Sequence, residues 1–401
     1  MKAAVYHGPL AVRVKEVAEP GPPGPDEVLL APLLGSLCGT DVTEFLVGPK
    51  RIPLHQAHPV SGHQGPVILG HEFVGIVLAV GAAVTGLHVG QRVVPGAGMW
   101  CGTCPPCQSG RTNICERAVL YGIHTHGGLA EQVKVPASMC VAVPESCSNE
   151  AAALAQPCAV AMHALGRVSI EPGQSVALFG LGGIGSFLLA ALLARTEGDL
   201  SLIVVEVGER KRDLTERLGA FASTFIKADQ FTETEILELT GGRGVDLAIE
   251  ASGSPTAIQQ ALSAIRSGGT LLQVGIPTGR VSLPLGRVVP REVSIVTTNG
   301  MICEVDLPRA LALLSQTDLA TQITDRIIPL DALVAEGLEP LALHEVLGKV
   351  LVRIQEVQSR IPTHRKVERT HANPGGKPTN LSVSHPDKGG RDSSHCLRLP
   401  D

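Results

Sequence analysis

The pattern of apolar and polar positions divides the chain near Ser148. From Met1 to about Pro144, short runs with strand-type alternation are punctuated by Gly and Pro: KAAVYHG, LAVRVKEV, EVLLAPLLGS, EFVGIVLAVG, QRVVPG, EQVKVP and CVAVP. That spacing predicts a compact β unit. SNEAAALAQPCAVAMHALGRV then turns alanine-rich, with Ser148 or Asn149 as N-cap, and predicts one or two helices. Beyond it, apolar runs of buried-strand type alternate with helical stretches: Ser175 to Phe179, LIVVE, ASTFIK, VDLAIEASG, GGTLLQVGI and EVSIVTT. Six such strands are the number in a doubly wound parallel sheet, so the predicted class is α/β. Past Gly300 come an amphipathic helix (DLPRALALLSQ), a strand-like ITDRIIPL, a short helix around Leu341 to Leu347 and a last strand, KVLVRI. These pieces are too few for a domain and are expected to rejoin the first unit. From Glu356 the apolar pattern nearly vanishes among Pro, Gly, Ser, His and Lys, which predicts a disordered tail. The expected division is therefore 1–156, 157–299, 300–355 and a tail, 356–401.

The first parallel strand leads straight into a glycine turn. SVALF is followed by Gly180, Gly182, Gly183, Ile184 and Gly185, and then by the helix-forming SFLLAALLA. A strand, tight turn and helix in that order point backbone N–H groups and the positive helix end at one spot, which suits a pyrophosphate. Gly180 permits the sharp turn, Gly182 allows close approach of a ligand, and Gly185 lets the helix pack on its strand. The next strand ends on Glu206, 21 positions after Gly185, where a carboxylate can accept from ribose hydroxyls and repel a 2′-phosphate. NAD is favoured over NADP. Arg210, Lys211 and Arg212 follow at once, and are either partners for a phosphate or a solvated helix face. Lys211 joins Glu206 as a candidate cofactor residue.

Composition narrows the function. The chain has 401 residues, 44% of them hydrophobic but only 2% aromatic, so its cores must be aliphatic. Its formal charge is −5, and because the segment from Glu356 carries a surplus of three positive charges, residues 1–355 hold about −8. That balance argues against nucleic acid or an anionic membrane as partner. No apolar run reaches spanning length, and MKAAVYHGPLAVRVKEV lacks the apolar core of a signal peptide, so a cytoplasmic protein is expected. Ten cysteines in such a chain point to metal ligands before disulfides.

Two cysteine-containing sets stand out. Cys101, Cys104, Cys107 and Cys115 follow the spacing CxxCxxCx7C, and four thiolates in one short loop can close a tetrahedral shell around a structural Zn²⁺. The second set is dispersed: Cys38 in LCGTD, with His71 and Glu72 in ILGHEFVG. Mixed soft and hard donors with an open position are what a catalytic zinc needs. Taken singly, Cys38 reads as a small buried hydrophobe and His71 as a satisfied turn histidine.

Cys38-Gly-Thr-Asp41, Gly70-His-Glu-Phe-Val-Gly75, Val80-Gly-Ala-Ala-Val-Thr85, Gly90-Gln-Arg-Val93, the four-cysteine lobe, Gly127-Gly-Leu-Ala-Glu131 and the glycine turn occur in the order of a known family. Over almost all of residues 1–355 the chain resembles the zinc-dependent medium-chain alcohol dehydrogenases, in the branch of butanediol, sorbitol and threonine dehydrogenases. MKAAVYHG, VRVKEV and the insertion HPVSGHQGPVILGHE lean toward butanediol dehydrogenase. The resemblance implies a GroES-like β catalytic domain, a Rossmann domain, a homodimer or homotetramer, and zinc on Cys38 and His71. Two positions depart from the pattern. Gln156 precedes Pro157 where relatives carry a Glu that ligates or adjoins zinc, which leaves Glu72, or Cys158, to complete the shell; Glu72 is favoured, with Gln156 nearby. Thr43 stands where many relatives have a proton-relaying histidine.

The implied reaction is hydride transfer from a secondary alcohol, a vicinal diol such as 2,3-butanediol, to NAD, with Thr40 accepting the hydroxyl's hydrogen bond and handing the proton outward. A polyol, sugar or threonine dehydrogenase is the rival within the family. A zinc-stabilised nucleotide-binding protein without turnover is the rival outside it, suggested by Gln156.

Overall fold

The computed structural model describes residues 1–355 apart from Gly198 and Thr278; the predicted tail lies outside them. In the N-terminal part the ten-residue strand Glu27–Ser36 is the hub. It pairs antiparallel with Phe73–Val80, Val133–Pro136 and Lys349–Arg353 within a seven-stranded sheet. A smaller sheet joins Val12–Glu16, Lys2–Tyr6 and Val67–Ile68. The strands Thr324–Pro329 and Lys349–Arg353 belong to the N-terminal sheet, and Ile328, Leu333 and Val350 share a buried cluster with Tyr6, Phe45 and Leu129. Two small segments interrupt the β pattern: a helix, Gly39–Val47, and a hairpin of Gly98–Met99 with Val119–Leu120 that carries the cysteine lobe.

The six remaining strands form a wholly parallel sheet in the order Thr224–Lys227, Ser201–Glu206, Ser175–Phe179, Val245–Glu250, Ile265–Gln273, Ser294–Thr297. This is a doubly wound Rossmann sheet, and the strand order reverses beside Ser175–Phe179, where such folds bind ligands. The alanine-rich stretch makes two helices, Asn149–Ala153 and Ala155–Leu165, the first capped by Ser148 Oγ accepting from the Ala151 N–H at 3.1 Å. Ala155–Leu165 packs against Gly183–Arg195 and against Cys303–Gln316, the predicted amphipathic helix. Their buried Ala159, Leu188, Leu307 and Leu311 belong to one aliphatic cluster, each leucine worth about 1.5–3 kcal/mol of burial.

The short helix expected around Leu341 to Leu347 lies earlier. It spans Glu339–Ala342 and follows a single wide π-type turn, Leu333–Leu338. Pro340 fits a first helical turn, where its missing N–H costs nothing, and His344 is left-handed (φ +58°), which ends the helix. Among the described residues no helix is long and apolar enough to cross a membrane.

Candidate metal centre and nucleotide turn

Sheet register explains how the dispersed donors meet. Gly35 is paired with Phe73, so the end of Glu27–Ser36 and the start of Phe73–Val80 lie at one edge, and the Ser36 N–H donates to the Glu72 carbonyl at 2.8 Å. Cys38 follows the first strand as N-cap of Gly39–Val47, its N–H held by the Asp41 carboxylate at 2.9 Å. His71 and Glu72 immediately precede the second. Donor atoms of Cys38, His71 and Glu72 all lie within 4.8 Å of one another. Gly70 makes room for this arrangement: it has φ +101°, and a Cβ there would stand 2.6 Å from Leu129.

The electrostatics call for a cation. His71 Nδ1, Glu72 Oε1 and Asp41 Oδ1 are buried without a hydrogen-bond partner, a costly state for polar atoms. Burial pulls the His71 pKa down, but the Cys38 thiolate and then the Asp41 and Glu72 carboxylates hold it up at about 10. Burial opposes ionisation of Glu72, yet Lys349 and His71 keep it below its ordinary value. The unpartnered His71 Nδ1 lies 3.9 Å from Asp41 Oδ1, and a ring nitrogen, a sulfur and a carboxylate oxygen gathered this closely fit a divalent metal of zinc type. Thr40 Oγ1 lies 3.8 Å from the Cys38 sulfur. Thr43 spends its hydroxyl proton on the Gly39 carbonyl at 2.9 Å. Gln156 is buried on Ala155–Leu165. Cys158, on the same helix, is not among the donors that gather with Cys38, and burial pushes its thiol up to about 12.

The second cluster is local. Donor atoms of Cys101, Cys104, Cys107 and Cys115 also lie within 4.8 Å of one another. Backbone N–H groups of Cys101 and Arg117 point at the Cys115 sulfur, each at 3.3 Å, and that of Cys104 at the Cys101 sulfur at 3.4 Å. The Thr103 amide and hydroxyl, with the Cys104 N–H, hold the Cys101 thiol down at about 6, whereas burial pushes the Cys107 thiol up to about 12.

The glycine turn has the shape its sequence predicts. Gly180 is at φ +92°, where a Cβ would also meet Ser252 at 2.9 Å; a Cβ on Gly185 would strike the Gly180 carbonyl; Gly182 faces open space. Gly182 caps the helix Gly183–Arg195 in extended conformation, and Ile184 is half-buried on its first turn. The Glu206 carboxylate accepts from the Leu181 N–H at 2.5 Å and from Val207 at 2.8 Å, so it sits against the turn. Lys211 is not the solvated residue that a polar helix face would carry. Its ammonium donates to the Leu347 carbonyl at 2.5 Å; burial lowers its pKa, and the carboxylates of Glu206 and Asp325 oppose the fall. Arg210 and Arg212 are exposed, Arg212 lying 4.9 Å over the Phe225 ring.

Lys349 is the functional candidate that sequence reasoning passed over. Almost wholly buried, it donates to Glu72 Oε2 at 2.6 Å and to the Leu37 carbonyl at 2.7 Å, and its Cδ lies 3.0 Å from where a Cβ on Gly183 would stand. One side chain thus reaches from the metal cluster to the nucleotide turn. The only signal in the sequence is a lysine opening the otherwise apolar strand KVLVRI.

Comparison with known proteins follows this division. Residues 24–145 match the family model of the alcohol dehydrogenase GroES-like domain, and residues 183–316 that of zinc-binding dehydrogenases. Sorbitol dehydrogenase of Bacillus subtilis is 33% identical over 297 residues, 74% of this chain and 81% of its own length. (R,R)-butanediol dehydrogenase of the same organism is 32% identical over 361 residues, 88% of this chain and 99% of its own. The crystal structure of a 2R,3R-butanediol dehydrogenase from Bacillus subtilis superposes with a TM-score of 0.79 at 28% identity, covering 88% of this chain and 99% of that one. An alcohol dehydrogenase from Thermus gives a TM-score of 0.76, also at 28% identity, over 88% and 100% of the two chains. With a metal-type donor cluster on a GroES-like sheet, a glycine turn on a Rossmann sheet and relatives matched over 81% and 99% of their length, the chain belongs to the zinc-dependent medium-chain alcohol dehydrogenases.

Proposed function

We propose that this enzyme transfers hydride between a vicinal diol of the 2,3-butanediol type and NAD, using a zinc held by Cys38, His71 and Glu72 with Gln156 nearby. The observation that carries the reading is the meeting of those three donors, two of them with orphaned buried atoms, in a chain whose Lys349 also touches the glycine turn. When bound, the metal supplies the Lewis acidity that lets an alcohol hydroxyl ionise near neutral pH. Thr40 accepts the hydrogen bond of that hydroxyl and takes its proton outward. Thr43 already donates to the Gly39 carbonyl, so its hydroxyl is not free to donate the next proton of a relay. Backbone N–H groups at Gly180 to Gly185 hold the pyrophosphate, and Glu206 the adenosine ribose, which selects NAD. Lys211, near Glu206, is a further candidate donor toward that ribose. Cys101, Cys104, Cys107 and Cys115 hold a structural zinc.

Residues 1–156 and 300–355 are read as the catalytic unit and 157–299 as the cofactor unit. A homo-oligomer is supported by the Ser294–Thr297 strand, which ends the parallel sheet beside the exposed apolar side chains Leu285, Val289 and Ile295. Four unbridged thiols gathered in one loop suit the reducing cytoplasm. Polyol oxidation is the second reading, supported by the sorbitol dehydrogenase relative. The deciding experiment is reduction of NAD and NADP by zinc-loaded protein with 2,3-butanediol stereoisomers, sorbitol, xylitol, threonine and simple secondary alcohols. Butanediol with NAD should give the highest kcat/KM. A higher value with sorbitol moves the assignment to polyols, and turnover of none of them overturns it.

A further inference from the structure

The cysteine lobe is wired to the junction between the two halves. Asn113 lies in the Thr112–Ile114 turn, between the third and fourth cysteines. Its Nδ2 donates to the Asn299 carbonyl at 2.7 Å, and Asn299 Nδ2 donates back to the Asn113 carbonyl at 2.9 Å. The same Asn113 nitrogen lies 3.2 Å from His163 Nε2, and His163 Nδ1 lies 2.9 Å from Asp306 Oδ2. That carboxylate oxygen also accepts from the Ile302 N–H at 2.7 Å.

A count of hydrogens fixes the roles. The Asn113 amide has two, one for the Asn299 carbonyl and one for His163 Nε2. With the Asn113 amide donating, His163 accepts at Nε2 and donates from Nδ1 to Asp306. The chain passes between the two sheets twice, through Ala155–Leu165 and through the segment from the end of Ser294–Thr297 into the first turn of Cys303–Gln316. His163 stands on the first crossing; Asn299, Ile302 and Asp306 stand on the second. One network therefore ties both crossings to each other and to the cysteine lobe.

We propose that Asn113, His163 and Asp306 are positioning residues, through which the lobe braces the two crossings and sets how the cofactor half meets the metal centre. This role presupposes that the chain is a nicotinamide-dependent dehydrogenase. Its consequence is that a loop remote from the chemistry controls cofactor affinity: a loosened brace lets the halves part, and ordering them again is charged against binding.

The test uses the zinc-loaded full chain and its Asn113→Ala variant. In hydrogen–deuterium exchange, residues 155–165 and 298–306 should exchange about fivefold to tenfold faster in the variant, the loss expected for one or two hydrogen bonds. NADH dissociation constants should rise by a similar factor while kcat changes by less than about twofold, a split that a general loss of stability would not produce. Adding Asn299→Ala to Asn113→Ala should quicken exchange further, because the bond from Asn299 Nδ2 to the Asn113 carbonyl survives the first substitution. If Asn113→Ala sheds zinc from the lobe, Asn299→Ala alone cuts the reciprocal bond from the other side. Faster exchange confined to residues 101–120, or unchanged NADH affinity, overturns the brace. Failure of the wild-type chain to take up NADH would instead sink the dehydrogenase reading, and the exchange arm would still decide whether the brace exists.

Discussion

The two metal-type clusters are opposites in construction. The cysteine lobe draws four like donors from fifteen consecutive residues, and its polar contacts are largely backbone N–H groups of the same loop. The Cys38 cluster draws unlike donors from two strand ends and is surrounded by side-chain charge: Asp41, 3.9 Å from His71, and Lys349 on Glu72. A saturated local shell suits a metal that holds structure, whereas a mixed and incomplete shell leaves room for a substrate oxygen. The contrast has a direct test. Cys38→Ala should lower kcat/KM by about a thousandfold or more, since it removes a proposed ligand of the reacting centre. Cys107→Ser should lower it by less than about tenfold, and chiefly through cofactor affinity. Each should reduce zinc by about one per chain by elemental analysis. Equal losses of activity from the two substitutions would erase the distinction.

Lys349 sharpens the comparison further, because only the dispersed cluster depends on a buried ion pair. Lys349→Met leaves the Glu72 carboxylate buried without its ammonium, a loss of about 3–5 kcal/mol where one partner of a buried pair is removed. A bound cation would take over much of that pairing. Denaturant unfolding of the variant should therefore show a large deficit after chelation and a much smaller one with zinc restored, while the wild type differs less between the two states. A deficit that zinc does not reduce would mean that the metal and Lys349 do not share Glu72.

Much of this was legible in the residues, and what was hidden was non-local. The parallel sheet and the glycine turn follow from contiguous apolar runs and from glycines whose space or φ no other residue fits, as at Gly180 and Gly185. The cysteine lobe follows from spacing alone. Cys38 and His71, 33 positions apart, meet because Gly35 pairs with Phe73, and alternation along a strand says nothing of which strand it pairs with or in what register. Without the resemblance to a family, each would have read as an ordinary core residue. Lys349 shows the limit most plainly: its partner is 277 positions away, and a strand-opening lysine looks solvent-facing until the sheet closes over it. Lys211 was ambiguous for the same reason, since the Leu347 carbonyl that engages it comes from the segment that returns to the first unit. Gly39–Val47 escaped notice because nine residues rich in Thr, Val and Gly carry little helical propensity, and its start is fixed by Asp41 accepting from the Cys38 N–H.

The smallest expected effect separates the two halves by pH. His124 stacks on His58 at 4.2 Å, its Nδ1 accepts from the Leu120 N–H at 3.2 Å, and burial, with His58 and Arg51 beside it, pulls its pKa down to about 4. Unfolded, the same imidazole titrates near 6.5. Between those values the unfolded chain holds the extra proton, so stability falls as pH drops from 6.5 toward 4, and is complete above 6.5. In the other half Asp246 behaves differently. Burial opposes its charge, but Arg266 and Ser175 hold it at about 2, so its contribution persists until pH falls below about 4. Acidification from pH 6.5 to 4.5 should therefore loosen the half built on the seven-stranded sheet first, on the order of 1 kcal/mol once the ring's partial exposure is discounted. Exchange in residues 119–127 should quicken over that range while residues 175–179 and 245–250 stay protected. His124→Asn keeps an acceptor for the Leu120 N–H and removes the titration, so it should flatten the response. An unchanged slope in that variant would place the acid sensitivity elsewhere in the sheet that carries the metal cluster.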